Sequence, residues 1–181
     1  GLTLQELNQI QAAVESYEEA LIIQPNYAEV HNNLGIAQRE LGKIDDAIKS
    51  YEKALTIKLD YAEAHNNLGN ALHELGEIDE AIKHYYKVIS ISPNYAEAHH
   101  NLGNILNDLG QTDEAIESYE KALSIAPDYI DAHNNLGNIL KELGQTHEAI
   151  KSYEKALAIE PEYAEAHNNL ANALKDLGEF S

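Results

Sequence analysis

The stretch AEAHNNLGNALHELGEIDEAIKHYYKVISISPNY, residues 62–95, is the unit from which most of the sequence is built. Stretches of the same length, with similar residues at corresponding positions, occupy residues 28–61, 96–129 and 130–163 without a gap. Residues 1–27 match the last part of such a unit, and residues 164–181 match its first half. Because self-similarity at a period of this size is typical of solenoids, the sequence predicts one repeat array over residues 1–181.

Each unit contains two helical patterns. Small and apolar residues at three- and four-residue spacing predict a helix A over residues 62–75, and Gly76 then offers a left-handed turn. A broader apolar pattern predicts a helix B over residues 79–91, which Pro93 ends. An interior glycine costs about 1 kcal/mol, so Gly69 is expected where helix B packs closely against helix A. Asn94, with Glu97 three residues later, predicts a capping box at the start of the next helix A.

The unit resembles the tetratricopeptide repeat in its period of 34 residues and in Leu68, Gly69, Ala81, Tyr85 and Pro93. The resemblance covers essentially the whole chain. It implies an all-α fold, a right-handed α-α superhelix in which helix A lines the concave groove and helix B the convex side. The sequence departs from the family where the family often has tryptophan: a histidine stands there, at His31, His65, His99, His133 and His167.

The two ends of the sequence match incomplete repeats. The first residues correspond to the middle of a helix A, and the sequence stops at GEFS, residues 178–181, where a helix B would begin. Solenoids usually end in a capping helix with a polar outer face, and neither end shows that pattern. We therefore expect a segment of a longer protein. Uncapped ends also leave open self-association end to end.

The charge and composition of the chain exclude several classes of partner. The formal net charge is −19, with 12 lysines and arginines against 31 acids, which disfavours nucleic acid and an anionic membrane surface. There is no cysteine, no apolar run of membrane-spanning length and no signal-peptide pattern, and a cytoplasmic location is favoured. A partner of this chain is expected to be a protein or peptide, neutral or basic rather than acidic.

The sequence favours neither catalysis nor metal binding. It contains no nucleophile elbow, phosphate-binding loop or dinucleotide fingerprint, so no enzyme activity and no cofactor are predicted. The five repeated histidines lie on successive helices, about 8–10 Å apart, which is too far for ligands of one zinc ion, and we expect them to pack. Three others, His73, His84 and His147, occupy variable positions and are expected to be solvated.

The candidate functional site is the polar side of helix A, where three columns recur from repeat to repeat. The first column is Asn32, Asn66, His100, Asn134 and Asn168; the second is Asn33, Asn67, Asn101, Asn135 and Asn169; the third is Ile36, Asn70, Asn104, Asn138 and Asn172. Thirteen asparagines, each about 0.6 kcal/mol less favourable than alanine in a helix, would together cost about 8 kcal/mol. Another interaction must offset that cost.

Two interpretations of the columns remain open, and they are compatible. The amides either bond the neighbouring repeat or bind the backbone of an extended peptide, since an amide carries both a donor and an acceptor. Such a ladder of asparagines resembles the superhelix of O-linked N-acetylglucosamine transferases and bacterial tetratricopeptide arrays. The resemblance implies a non-catalytic scaffold that binds an extended peptide or a partner helix in the groove. As an alternative, it implies the substrate-recruiting segment of a larger enzyme such as a glycosyltransferase.

Acids border the amide columns and are the expected groove edge: Glu63, Glu74, Glu97, Asp108, Asp131 and Glu142. The family's carboxylate clamp, which holds acidic chaperone tails, needs lysine and arginine on helix A. Here the cations on that face are Arg39, Lys141 and Lys175, outside the amide columns, so the clamp is not predicted. Residues 96–129 carry seven acids and one lysine, and a basic part of a ligand should favour this middle repeat.

Overall fold

The computed structural model describes residues 3–178, and every regular element among them is an α-helix. The helices form two compact units, Gly1–Pro93 and Asn94–Ser181. The first unit contains α1 (Leu4–Ile23), α2 (Ala28–Glu40), α3 (Ile44–Ile57), α4 (Ala62–Leu75) and α5 (Ile78–Ile91). The second contains α6 (Ala96–Asp108), α7 (Thr112–Ile125), α8 (Ile130–Glu142), α9 (Thr146–Ile159) and α10 (Ala164–Asp176). The A helices are α2, α4, α6, α8 and α10, and the four B helices that follow them are α3, α5, α7 and α9.

The predicted helices and the turn between them are confirmed. Helix A of the second repeat ends at Leu75, and Gly76 has a φ of 86°, in the left-handed region that glycine adopts without strain. The same conformation recurs at Gly42, Gly110 and Gly144, so each A helix reverses into its B helix at the same position. The B helix begins one residue earlier than predicted, at Ile78.

The core of each repeat is a tyrosine of helix B set against a glycine of helix A. A Cβ atom added to Gly69 would lie 2.9 Å from Cε1 of Tyr85, so the predicted close approach is confirmed. The equivalent tyrosines are 0–2% exposed, and small alanines such as Ala64 and Ala81 are fully buried beside them. Because the A helix has no side chain at this position, the ring fills the space between the two helices.

The first helix differs from the expected partial repeat. Residues 4–23 form one continuous helix instead of the end of a helix A, a turn and a helix B. The position of the turn glycine is occupied by Asn8, which continues the helix. Thr3 caps it: Oγ1 accepts from the Glu6 N–H at 3.3 Å, and the Thr3 N–H donates to the Glu6 carboxylate at 2.7 Å. The expectations that concern residues 179–181 lie outside the described residues.

The predicted capping box at the A helices is wrong. The residue before α6 is Tyr95 rather than Asn94, and no side chain caps the helix. Glu97 is the second residue of the helix, one position too early to reach back as the prediction required. The corresponding acids of the other A helices, Glu29, Glu63, Asp131 and Glu165, also lie in the first turn, where a negative charge is favourable.

Candidate functional site

A polar stripe runs along each A helix. In α8 it consists of Asp131, Asn135, Asn138 and Glu142, at offsets of four, seven and eleven residues that place them on one side of the helix. The corresponding stripes are Glu29, Asn33, Ile36 and Glu40; Glu63, Asn67, Asn70 and Glu74; Glu97, Asn101, Asn104 and Asp108; and Glu165, Asn169, Asn172 and Asp176. The second and third amide columns therefore lie within the stripes, between two acids.

The first amide column lies beside the stripes, and four of its five side chains are buried. Asn134 is fully buried: its Nδ2 donates to Glu165 Oε1 at 2.8 Å, and its Oδ1 accepts from Asn169 at 3.0 Å. Asn32 makes the same two contacts in the first unit, to Glu63 and from Asn67. Asn66 and His100 are likewise 1% and 7% exposed. A ligand does not reach these four side chains, whereas Asn168 on α10 is exposed.

The second and third columns bond each other across repeats. Asn135 Nδ2 donates to Asn104 Oδ1 at 3.0 Å and also lies 3.2 Å from Nε2 of His100. Asn169 Nδ2 donates to Asn138 Oδ1 at 3.0 Å, and the same oxygen accepts from the buried Tyr153 hydroxyl at 2.9 Å. In the second unit, hydrogen bonds thus connect a B helix to the A helix of its own repeat, and that A helix to the A helix of the next repeat. This network supplies hydrogen bonds that offset the poor helix propensity of asparagine.

The remaining atoms of these amides are open to a ligand. Among residues 3–178, no group donates to the Oδ1 of Asn135 or Asn169, and none accepts from the Nδ2 of Asn104 or Asn138. The four side chains are partly exposed, and none of these free atoms is a buried atom without a partner. Each bonded pair, Asn104 with Asn135 and Asn138 with Asn169, therefore offers one oriented acceptor beside one oriented donor.

The first full repeat lacks this pairing because Ile36 occupies the third column. Tyr51 is fully buried like the other core tyrosines, but its hydroxyl has no hydrogen-bond partner among the described residues. Burial raises the pKa of Tyr51 to about 12, because the phenolate would be poorly solvated there. The consequence of one apolar residue in the ladder is thus an unsatisfied hydroxyl in the core.

Two substitutions of tyrosine by phenylalanine compare the stability contributed by a hydrogen-bonded hydroxyl with that of a hydroxyl without a partner. Tyr153→Phe removes the bond to Asn138 and should lower the free energy of unfolding by about 1 kcal/mol. Tyr51→Phe removes a hydroxyl without a partner and should leave stability unchanged or raise it. Urea unfolding followed by circular dichroism measures both. Equal losses for the two variants would mean that the amide ladder does not stabilise the repeats.

The acids of the stripes, and the cations that lie beside them on the A helices, form contacts within the protein. Glu165 accepts from Asn134, and the Tyr163 hydroxyl lies 3.4 Å from its second oxygen. At the other end of the stripes, Lys141 lies 3.3 Å from Asp176 and Arg39 lies 2.6 Å from Glu74. These cations neutralise acids of the next repeat, so the structure does not direct them at a ligand.

The repeated histidines pack against the turn that precedes helix A. His31, His65, His133 and His167 each place Nε2 2.8–3.0 Å from the backbone carbonyl oxygen six residues earlier, tying the turn to helix A. No group of three or more histidines and acids suited to a metal ion occurs among residues 3–178. The same residues include no helix long and apolar enough to cross a bilayer.

His84 differs from the solvated side chain that was expected. It is half-buried, with its Nδ1 2.9 Å from Nδ1 of His65 and the ring centroids 5.1 Å apart. Since the Nε2 of His65 donates to the Leu59 carbonyl, its Nδ1 is the acceptor and His84 is the donor. Burial, and then the neighbouring His65, lower the pKa of His84 to about 4. The corresponding residues of the other full repeats are serines, so no repeated signal in the sequence pointed to this pair.

Comparison with known proteins assigns the family. The model of the family described as TPR repeat matches residues 1–40, 37–76, 69–107, 103–144 and 137–178. The chain belongs to the tetratricopeptide repeat family. The predicted family and the all-α superhelical fold class are thereby confirmed. No curated protein sequence matches the chain significantly.

Solved tetratricopeptide structures support the fold. A crystal structure of MamA is 31% identical, with a TM-score of 0.76 over 91% of this chain and 99% of that one. TTC0263, a thermophilic TPR protein of Thermus thermophilus, is 24% identical, with a TM-score of 0.75 over 95% of this chain and 94% of the other. YrrB, described as a TPR protein with an unusual peptide-binding site, is 23% identical, with a TM-score of 0.71 over 91% of this chain and 85% of the other.

Proposed function

We propose that this protein is a non-catalytic protein-interaction scaffold that binds an extended peptide segment along the A helices of its second unit. The observation that carries the proposal is the pair of free amide atoms repeated at Asn104 with Asn135 and at Asn138 with Asn169. An extended peptide unit presents one N–H and one C=O, which an Oδ1 acceptor and an Nδ2 donor can bind together.

The network around the pairs prepares them for binding. The Nδ2 of Asn135 and of Asn169 is held by the Oδ1 of the third-column asparagine of the preceding repeat, so the free atoms of both pairs are already oriented before a ligand arrives. A preorganised site avoids the cost of ordering side chains on binding, about 0.5–1.5 kcal/mol for each. The same hydrogen bonds thus serve both interpretations of the asparagine columns, with their fixed atoms structural and their free atoms available to a ligand.

An extended peptide suits these pairs better than a partner helix. In a helix, all interior N–H and C=O groups bond within the helix itself, so few remain for side-chain amides. Contacts to backbone atoms recognise a segment without selecting its side chains. The YrrB description of a peptide-binding site on the same fold is in keeping with a peptide ligand. Acids at both ends of each stripe make a neutral or basic peptide the better match.

Aspartate substitutions test the free donors without breaking the network. In Asn104→Asp with Asn138→Asp, one carboxylate oxygen still accepts from Tyr119 or Tyr153 and from the second column, but no N–H remains for a ligand. A fluorescein-labelled neutral peptide selected against the wild-type protein from a phage-displayed library should bind this variant at least about tenfold more weakly. The free energy of unfolding should change by less than about 1 kcal/mol.

The control is Asn107→Asp, which adds one negative charge on α6 outside the three columns, half the charge added by the double variant, and should leave affinity within about twofold. Fluorescence anisotropy for binding and urea unfolding for stability are measured on the same preparations. Undiminished affinity of the double variant, or failure of the library to yield any peptide that binds, would contradict the proposed function.

A further inference from the structure

In the first unit, a lysine of this chain is bound by an acid and an aromatic ring. Lys58 follows α3, and its ammonium nitrogen lies 3.4 Å from Glu29 Oε1 and 4.4 Å from the centroid of the Tyr61 ring. An acid and an aromatic face at these distances hold a cation by ion pairing and by cation–π attraction. Glu29 and Lys58 are each about half exposed, so this site is open to solvent in the first unit.

The second unit has an acid and a tyrosine at the positions that correspond to Glu29 and Tyr61, but no lysine at the position that corresponds to Lys58. Three repeats further along the chain, Glu29 corresponds to Asp131, Tyr61 to Tyr163 and Lys58 to Glu160. The Tyr163 hydroxyl donates to Asp131 at 3.0 Å, so the acid and the tyrosine are neighbours here, whereas in the first unit Glu29 and Tyr61 both contact Lys58. An acid therefore follows α9 at the position from which the first unit supplies its own cation.

We propose that Asp131, Glu160 and Tyr163 form a basic-residue site that takes a lysine or arginine side chain of the bound peptide. Asp131 is also the first residue of the polar stripe on α8, so a peptide lying along the amide pairs passes beside this site. Two carboxylates and an aromatic face attract a cation by ion pairing and by cation–π interaction, and a neutral side chain gains neither of these. The inference rests on the proposed function and adds the charge and position of one peptide side chain.

The charge around the site favours a cation from outside. Tyr163 also lies beside Glu165, and burial together with the neighbouring Asp131 raises the pKa of its hydroxyl. The ring is therefore neutral at physiological pH, as a cation–π partner should be. The second unit contains 16 acids and five lysines, so electrostatic attraction of a basic peptide adds to the local contacts.

The test compares a lysine peptide with its acetylated form. The probes are two fluorescein-labelled decapeptides of alternating glycine and lysine, one with every lysine acetylated, measured by anisotropy at about 0.15 M salt. The wild-type protein should bind the unmodified peptide on the order of tenfold more tightly than the acetylated one. Glu160→Lys places a cation in the site, as Lys58 does in the first unit, and should reduce that preference to about twofold or less.

Glu154→Lys is the matched control, because Glu154 is an exposed residue of α9 and the substitution changes the net charge equally. It should retain most of the preference for lysine. In the opposite direction, Lys58→Glu removes the internal cation from Glu29 and Tyr61 and should tighten binding of the unmodified peptide about threefold. Urea unfolding of each variant checks that it is folded.

Equal effects of Glu160→Lys and Glu154→Lys, or equal binding of the two peptides by the wild-type protein, would overturn the basic-residue site. Neither result would affect the proposed function, because the neutral peptide selected from the library binds through Asn104 and Asn138. Conversely, if the aspartate variants of Asn104 and Asn138 bind that neutral peptide normally, the proposed function fails whatever the lysine preference is.

Discussion

Replacement of Tyr119 by alanine is expected to lower the free energy of unfolding by about 3–5 kcal/mol. The ring is 2% exposed, and a Cβ added to Gly103 would lie 2.8 Å from its Cε1, so the residue that faces the ring has no side chain to fill the space that it leaves. The substitution also removes the hydroxyl that donates to Asn104 at 2.7 Å. Urea unfolding at 25 °C, followed by circular dichroism, measures the loss.

Tyr86→Ala is the control for this prediction, since Tyr86 is the same residue type on a B helix but is 55% exposed. It should cost less than about 1 kcal/mol. A loss of less than about 1 kcal/mol for Tyr119→Ala, or equal losses for the two variants, would mean that the tyrosine and glycine contact is not the main support of the repeat.

Acidification is expected to destabilise the first unit through His84. The pKa of this side chain is about 4 in the folded protein and about 6.5 in the unfolded chain, so the unfolded chain binds the proton first. The free energy of unfolding is therefore unaffected by protonation of His84 above about pH 6.5, where the side chain is neutral in both states. It decreases as the pH falls from about 6.5 towards 4, where the unfolded chain is protonated and the folded protein is not. Since the ring is only partly buried, solvent screening reduces the effect to about 1–3 kcal/mol.

His84→Ser isolates this effect, because serine stands at the corresponding positions 50, 118 and 152. The wild-type protein should lose about 1–3 kcal/mol more than the variant between about pH 7.5 and pH 4.5, measured by urea unfolding at both values. Glu80 and Lys83 also act on His84, with opposite signs, and remain in both proteins. Parallel pH profiles for the two proteins would exclude the His65 and His84 pair as the cause.

The helices were predictable from sequence because the signals that place them are local and repeated. Apolar spacing over residues 62–75, the turn at Gly76 and the packing role of Gly69 each depend on neighbours within one repeat. The caps of the A helices were not predictable in this way, since Asn94 is a favourable capping residue type and yet the capping position of α6 is Tyr95, whose side chain makes no capping hydrogen bond. The merging of residues 4–23 into one helix depends on Asn8, a residue type that both turns and helices accept.

The candidate site was predictable as a set of columns but not atom by atom. A spacing of 34 residues places Asn134 and Asn135 in neighbouring columns, and nothing in the sequence tells which of them is buried. The answer depends on how successive A helices stack, which buries Asn134 against Glu165 and leaves the Asn135 oxygen free. The His65 and His84 contact was hidden for another reason, because only one repeat carries a histidine at position 84.

The central claim, that the free amide groups of the third column bind a peptide backbone, is tested most directly by side-chain amide signals in nitrogen-15 NMR. Addition of the neutral library-selected peptide should shift the NH2 resonances of Asn104 and Asn138. The resonance of Asn134, whose Nδ2 is bonded to Glu165 in the core, should stay in place. Shifts confined to the B helices, with the Asn104 and Asn138 signals unchanged at saturating peptide, would contradict the account.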